Sequence, residues 1–209
     1  MIVTAVEDWG KPRFYQIEST DLIHWSEPRL ILEGPGWEGY NTTLCRAGDR
    51  FVMAFELGAP RDLVGVPFTM FFAESADLVH FRVIPGAVFG REFYTGGPML
   101  RWFNGFYYLF YLDGSYDQGY RTCVVRSCDL RSWQWSPVNP VLDYGEEDRR
   151  LHGVFTPQQE HKIKNAVNIN ASDLDMCYFE GKLQLVYSWG DQRGTEFLAM
   201  AEADADEAK

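Results

Sequence analysis

The sequence has few of the features that mark secreted, metal-binding or membrane-spanning proteins. It contains four cysteines in 209 residues, none in a CxxC pair, which disfavours a disulfide scaffold and a cysteine metal site. No apolar run approaches the roughly 18 residues of a membrane span, and the first residues lack the basic stretch of an export signal. We therefore expect a cytoplasmic protein with reduced cysteines.

Basic side chains are also scarce. The chain has 19 Lys and Arg against 30 Asp and Glu, a formal net charge of −11, so a phosphate backbone or an anionic membrane surface would be repelled. Nucleic acid and membranes are therefore not expected partners. The sequence also lacks a GxSxG nucleophile motif, a phosphate-binding loop and a dinucleotide fingerprint.

Aromatic residues, by contrast, are abundant. Seven Trp, 11 Tyr and 15 Phe make up 16% of the chain. Such rings favour β-structure and suit stacking on sugars. The hydrophobic fraction of 46% is enough to build a substantial core.

One pattern, Ser-x-Asp-Leu-x-x followed by Trp or Phe, occurs three times. Its copies begin at Ser19, Ser75 and Ser127, which are 56 and 52 residues apart. That period is the size of one propeller blade of four short strands. We expect the Ser and Asp side chains to bond backbone N–H groups in a turn, and the Leu and the ring to bury between neighbouring blades.

A second repeat is a glycine-containing hairpin turn followed by a β-rich run, at 48–55, 104–111 and 180–187. Together the repeats predict an all-β propeller of four-stranded antiparallel blades, with about three and a half blades present. The predicted divisions are a partial blade at 1–36, blades at 37–91 and 92–142, a charged insertion at 143–169, and a partial blade at 170–209. A long insertion of this kind is often a functional lid or rim.

Three segments resemble the five-bladed β-propeller glycosidases: the Ser-x-Asp-Leu-x-x-Trp turns, residues 96–111 and residues 170–182. That superfamily includes the arabinanases and β-xylosidases of glycoside hydrolase family 43 and the related anhydro-galactosidases. The resemblance covers nearly the whole chain. It implies hydrolysis of glycosidic bonds by carboxylates at one mouth of the central channel.

The chain departs from that family in two places. The innermost strand of the first blade, which carries one essential Asp in the family, would precede Met1. Gly96-Gly97-Pro98 stands where arabinanase-type members have Glu-Gly-Pro. Five blades would need about 260 residues, so the sequence predicts a fragment, a propeller closed by self-association with a partner chain, or a reduced four-blade variant.

In a propeller, the loops leading into the innermost strands share one face with the loops joining the second and third strands. This topology predicts a mouth crowded with carboxylates and aromatic rings. The first set of loops carries Trp37, Glu38, Asn41, Glu92, Tyr94, Asn170, Ser172, Asp173 and Asp175; the second carries Glu7, Asp8, Trp9, Glu56, Arg61, Asp62, Asp113, Tyr116, Asp117, Trp189, Asp191, Gln192 and Arg193.

Glycoside hydrolysis needs one carboxyl group to protonate the leaving oxygen and another to attack the anomeric carbon or activate water. The predicted catalytic pair is Asp173 and Asp175, since strand alternation points both carboxylates to one face. Glu92 is the candidate acid. Alternatively, the aspartates cap turns or pair with Arg101 or Arg193, and Glu92 is a solvated rim charge.

The predicted sugar contacts lie on the same loops. Trp189 precedes Gly190 and could stack on a pyranose ring, although a core position is the alternative. Glu38 is either a sugar contact or an exposed loop acid. The full predicted set is Trp37, Glu38, Asn41, Asp113, Trp189, Asp191 and Arg193.

The sequence thus predicts a glycoside hydrolase whose partner is a carbohydrate. The competing hypothesis is a non-catalytic carbohydrate-binding or scaffold propeller, or an incomplete enzyme copy that lacks the first-blade acid. An acidic channel mouth would also accept a structural divalent cation such as calcium.

Overall fold

The computed structural model describes residues 1–6, 10–66, 68–116 and 118–204, and they form four antiparallel sheets. The first sheet contains β1 (Ile2–Ala5), β2 (Arg13–Gln16) and β3 (Arg29–Leu32); the second contains β4 (Glu38–Ala47), β5 (Arg50–Ala59), β6 (Thr69–Ser75) and β7 (Arg82–Phe89). The third contains β8 (Thr95–Phe103), β9 (Phe106–Asp113), β10 (Arg121–Ser127) and β11 (Gln134–Trp135); the fourth contains β12 (Ser172–Phe179), β13 (Lys182–Gly190) and β14 (Glu196–Asp204).

Within each sheet the strands pair in sequence order. The three predicted hairpin turns place Gly48, Gly105 and Gly181 in the left-handed region, with φ of +67°, +82° and +81°. Glycine adopts that conformation without a steric penalty. The predicted fold class, an incomplete all-β propeller, is confirmed.

The core lies between consecutive sheets. One buried cluster joins the second and third sheets, where the Phe72 ring lies 5.5 Å from Trp133. Another joins the first and second sheets, where Phe14 lies 5.2 Å from Phe55. A third joins β8 and β9 to the fourth sheet. Each sheet is therefore held by the apolar face of its neighbour.

The Ser-x-Asp turns form as predicted. In the third copy, Ser127 Oγ accepts hydrogen bonds from the backbone N–H groups of Asp129 and Leu130, at 3.2 and 2.8 Å. Asp129 Oδ1 accepts from Arg131 and Ser132, at 2.9 and 2.8 Å. These bonds, with the backbone of Ser132 first, lower the pKa of Asp129 to about 2.

Burial of the repeat leucine differs between copies. Leu130 is 2% exposed in the cluster between the second and third sheets, whereas Leu22 is 77% exposed. The expectation that this leucine buries between blades is therefore wrong for the first copy. Within the described residues no sheet precedes the first one, so Leu22 has no apolar surface to pack against.

The insertion carries a 3₁₀ turn (Glu146–Arg149) and α1 (Pro157–Asn165). Buried Asp148 ties it to the fourth sheet: Tyr187 donates its hydroxyl proton to Oδ1 at 2.6 Å, and Asn168 Nδ2 donates to Oδ2 at 2.7 Å. Arg149 donates to the carbonyl oxygen of Ala166 at 2.6 Å, which fixes the end of α1. Across the described ranges, no helix has the length and apolarity needed to cross a membrane.

The two leucines allow a matched test of packing between sheets, because both occupy the same turn with φ of +62°. Leu130→Ala should lower the free energy of unfolding by about 2–5 kcal/mol, since it leaves a cavity in the core. Leu22→Ala should change it by less than about 0.5 kcal/mol. Urea unfolding followed by tryptophan fluorescence measures both, and equal losses would contradict this account of the core.

Candidate active site

Glu56 is a carboxyl group buried at the end of the molecule where β4, β8 and β12 begin. It lies on β5 within an otherwise apolar run and is 1% exposed. Asn41, on β4, donates its Nδ2 proton to Glu56 Oε2 at 3.1 Å. Glu56 Oε1 has no hydrogen-bond partner among the residues that the structure describes, and a buried oxygen without a partner is costly unless a ligand or water satisfies it.

Burial raises the pKa of Glu56 to about 8, and the negative charge of Asp173 adds to the shift. The nearby polar groups of Asn41 and of the Gly97 backbone act in the opposite direction but are outweighed. Glu56 is therefore mostly protonated at neutral pH. Since Oε2 accepts the Asn41 hydrogen bond, we place the proton on Oε1.

Asp173 is exposed at the start of β12, beside this buried acid. Its backbone has φ of +51°, and a register shift interrupts the strand between Ser172 and Asp175. Ser172 Oγ donates to Asp173 Oδ2 at 2.7 Å, and Gln192 Nε2 donates to Ser172 Oγ at 3.3 Å. This short chain of hydrogen bonds fixes the carboxylate.

Gly97 makes room for Asp173, and Gly96 lies beside Glu56. A Cβ atom at Gly97, where φ is +55°, would lie 2.4 Å from Asp173 Oδ1, so a side chain at this position would displace the aspartate. A Cβ atom at Gly96 would lie 3.7 Å from Glu56 Oε1. The Glu56 carboxyl group thus stands beside the position where the related motif carries a glutamate. We call Asn41, Glu56, Gly96, Gly97 and Asp173 the mouth site.

Asp175 lies in a different environment. Arg101, on β8, donates to Asp175 Oδ1 at 2.6 Å and to the carbonyl oxygen of Met176 at 2.9 Å. Asp173 and Asp175 are both exposed, with Leu174 buried between them, as the predicted alternation requires. A bulge nevertheless places an extra residue between Ser172 and Asp175, and the two carboxylates have different partners. The pairing of Asp175 with Arg101, weighed as an alternative, is present.

Two predicted sugar contacts stabilise turns in this structure. Asp113 Oδ1 accepts from the backbone N–H of Ser115 at 2.8 Å. Asp191 Oδ1 accepts from the backbone N–H groups of Arg193 and Thr195 at 2.8 and 3.0 Å, and these bonds lower its pKa. These bonds use one oxygen of each carboxylate to hold the local backbone, so both side chains have a structural role.

The predicted tryptophans pack against protein. Trp189 is 2% exposed, with its ring 4.7 Å from that of Phe197 and the Arg149 guanidinium 5.7 Å above it. Trp37 is half-buried, 5.5 Å from the Phe55 ring. With this packing, a pyranose ring has no access to the indole of Trp189.

The remaining predicted residues are scattered around the rim. Glu38 forms an ion pair with Lys11 at 2.9 Å, and Glu92 and Arg193 are exposed on their loops. Glu7, Asp8, Trp9 and Asp117 lie outside the described residues. Sequence reasoning placed Glu56 at the mouth but not among the catalytic candidates; its signal was a single acid within the apolar run 51–57.

In the part of the chain that the structure describes, no three His, Cys, Asp or Glu side chains come together as metal ligands. The calcium site stays a prediction.

Solved structures with the same architecture decide the fold. A thermostable family-43 glycoside hydrolase superposes with a TM-score of 0.64 at 17% identity, over 91% of this chain and 61% of that one. A GH32 beta-fructofuranosidase from Bombyx mori gives 0.65 at 16% identity, over 99% and 43%. A family 117 glycoside hydrolase from Zobellia galactanivorans gives 0.63 at 14% identity, over 95% and 54%. The fold is that of the five-bladed propeller glycoside hydrolases.

The predicted resemblance is thereby confirmed for the fold. This propeller chain spans about half the length of the solved hydrolases it matches. No family model and no curated protein matches the sequence.

The raised pKa of Glu56 predicts a specific pH dependence of stability. Wild-type stability should fall as pH rises from about 5 to about 8, because folded Glu56 holds a proton that the unfolded chain releases near its usual pKa of 4.5. Glu56→Gln should remove this loss. The difference in unfolding free energy between variant and wild type should grow by up to about 1.4 kcal/mol per pH unit in that window.

Urea unfolding at a series of pH values measures this difference. Glu92→Gln, which alters an exposed glutamate, is the control and should follow wild type. A pH-independent difference for Glu56→Gln would show that Glu56 ionises normally in the fold.

Proposed function

We propose that this chain hydrolyses glycosidic bonds at the mouth site. The observation that supports the proposal is the placement of two unlike carboxyl groups against the same glycine pair. Glu56 is buried, and burial keeps it protonated, whereas Asp173 is exposed. Separated environments of this kind divide the roles of acid and base between two carboxyl groups.

The two groups have complementary roles in the reaction. Glu56 donates its Oε1 proton to the glycosidic oxygen as the bond from that oxygen to the anomeric carbon breaks, and the leaving sugar departs as an alcohol. The Asp173 carboxylate either adds to the anomeric carbon, to be displaced by water, or takes a proton from a water molecule that adds directly. In both cases one water is consumed, and Glu56 is reprotonated before the next turnover.

The net charge of −11 favours uncharged saccharides as substrates, since a polyanionic sugar would be repelled. Asn41 completes the site by holding Glu56 Oε2, which leaves Oε1 for the substrate. Asp175 and Glu92 have a supporting electrostatic role at most in this proposal, because the first is paired with Arg101 and the second is solvent-exposed.

The second candidate function is carbohydrate binding without catalysis. It is favoured by the 1% exposure of Glu56, which limits the access of a leaving oxygen to the acid. A panel of aryl glycosides and oligosaccharides separates the two candidates. Binding without hydrolysis at any pH from 4 to 9 would favour the second.

Asp173→Asn should lower kcat/KM by about 10²–10⁴-fold on any substrate that the wild type cleaves, because the carboxylate that acts at the anomeric carbon is lost. Asp143→Asn is the control and should retain activity, since it removes an exposed carboxylate that is paired with Arg121 at 2.9 Å and is not part of the mouth site. Initial-rate kinetics and circular dichroism provide the two measurements.

Asp175→Asn tests the catalytic pair predicted from sequence. With Asp175 held by Arg101, we expect a change of less than about threefold. A loss equal to that of Asp173→Asn would restore the predicted pair, and unchanged rates in both variants would exclude both aspartates.

A further inference from the structure

Four aromatic rings form a continuous row beside the mouth site. Centroid distances are 4.4 Å between Tyr40 and Phe68, 6.0 Å between Phe68 and Tyr94, and 5.9 Å between Tyr94 and Tyr120. We call Tyr40, Phe68, Tyr94 and Tyr120 the aromatic row. Tyr40 lies on β4 and the other three lie directly before β6, β8 and β10, so the row crosses from the second sheet to the third.

The backbone is shaped to accommodate these rings. A Cβ atom at Gly58 would lie 2.7 Å from Tyr40 Cε2, and one at Gly114 would lie 2.5 Å from Tyr94 Cδ1. Gly114 N–H also donates to the carbonyl oxygen of Tyr94 at 3.0 Å. The two rings are therefore fixed in place and lose little conformational freedom when a ligand binds.

The row adjoins the mouth site along β8, because Tyr94 lies two residues before Gly96. The pKa of Tyr94 is raised by burial first, and then by Tyr120, Glu56 and Asp173. Tyr40 directly precedes Asn41, the residue that holds Glu56. One part of the row thus borders the carboxyl groups, and Tyr40 lies on the strand that carries their amide partner.

The row is not sealed inside the core. Tyr40 and Tyr94 are each 38% exposed, so part of each ring reaches solvent. A tyrosine presents an apolar body together with a hydroxyl group that donates and accepts hydrogen bonds. That combination matches a sugar, which has apolar C–H faces and a rim of hydroxyl groups.

We propose that the aromatic row binds successive residues of an uncharged oligosaccharide whose reacting end lies at the mouth site. The position of the reacting end rests on the proposed function; binding by the row does not. The net charge of −11 disfavours phosphorylated or polyanionic ligands. The row spans four rings, so its contribution should grow with the number of sugar residues.

The test uses a length series of one uncharged oligosaccharide, from two to five residues, with binding measured by calorimetry on Asp173→Asn and hydrolysis measured on the wild type. Tyr40→Ala should weaken binding of the four- and five-residue ligands about tenfold and that of the disaccharide less than twofold. Tyr40→Leu, which keeps an apolar contact with Phe68, should show the same dependence on length and guards against misfolding of the alanine variant. Phe103→Ala should change no affinity, since Phe103 is 63% exposed at the opposite end of β8 from Tyr94.

The outcomes separate the two proposals. Binding that depends on length and is lost in Tyr40→Ala, without hydrolysis by the wild type, would support the row and overturn the proposed hydrolase. Hydrolysis by the wild type, together with the same loss of affinity in Tyr40→Ala for every ligand length, would overturn binding by the row and leave the proposed hydrolase supported. A loss of affinity in Phe103→Ala as large as that in Tyr40→Ala would have the same meaning. No binding of any member of the series would overturn the row.

Discussion

The packing of each sheet on the next is the interaction on which the rest of this structure depends. Phe72 is fully buried on β6 and meets Trp133 of the following sheet, whose Nε1 donates to the carbonyl oxygen of Val88 at 3.1 Å. An antiparallel sheet with apolar side chains on both faces needs a neighbour on each side. This requirement brings together the first residues of β4, β8 and β12, and with them the mouth site. It also explains the two terminal sheets, where Trp25 and Leu198 stay 40% and 78% exposed because no further sheet covers them within the described residues.

The fold could be predicted because its signals are local and repeated. The Ser-x-Asp turn needs only a hydroxyl and a carboxylate within reach of nearby N–H groups, and the chain shows this chemistry three times, as at Ser127 and Asp129. The hairpins needed only a glycine able to adopt positive φ. The local sequence could not predict that Leu130 is buried and Leu22 is exposed, because the two turns are alike and only the neighbouring sheet differs.

The candidate site was harder to predict because long-range contacts shape it. The alternation of exposed and buried side chains along β12 could be predicted from the sequence, but the left-handed backbone at Asp173 could not. The carboxylate there fits against Gly97, a residue of another sheet, which no pattern around position 173 reveals. The sequence around Trp189 likewise allowed two positions for the ring, exposed at the mouth or buried in the core. The insertion places Arg149 above the Trp189 ring. The burial of this indole therefore depends on the packing of a segment 40 residues earlier in the chain.

The glycine pair on β8 shapes the arrangement of the two acids. A side chain at position 97 would collide with Asp173, and one at position 96 would reach the surroundings of Glu56. Gly97 therefore creates the space in which the carboxyl group of Asp173 lies beside that of Glu56. Of these, Glu56 is the more constrained, because its burial, its Asn41 partner and its unpartnered oxygen are all set by the surrounding strands. The chemistry proposed for this site depends on this arrangement, in which a buried acid and an exposed carboxylate from two other strands lie beside one glycine pair on β8.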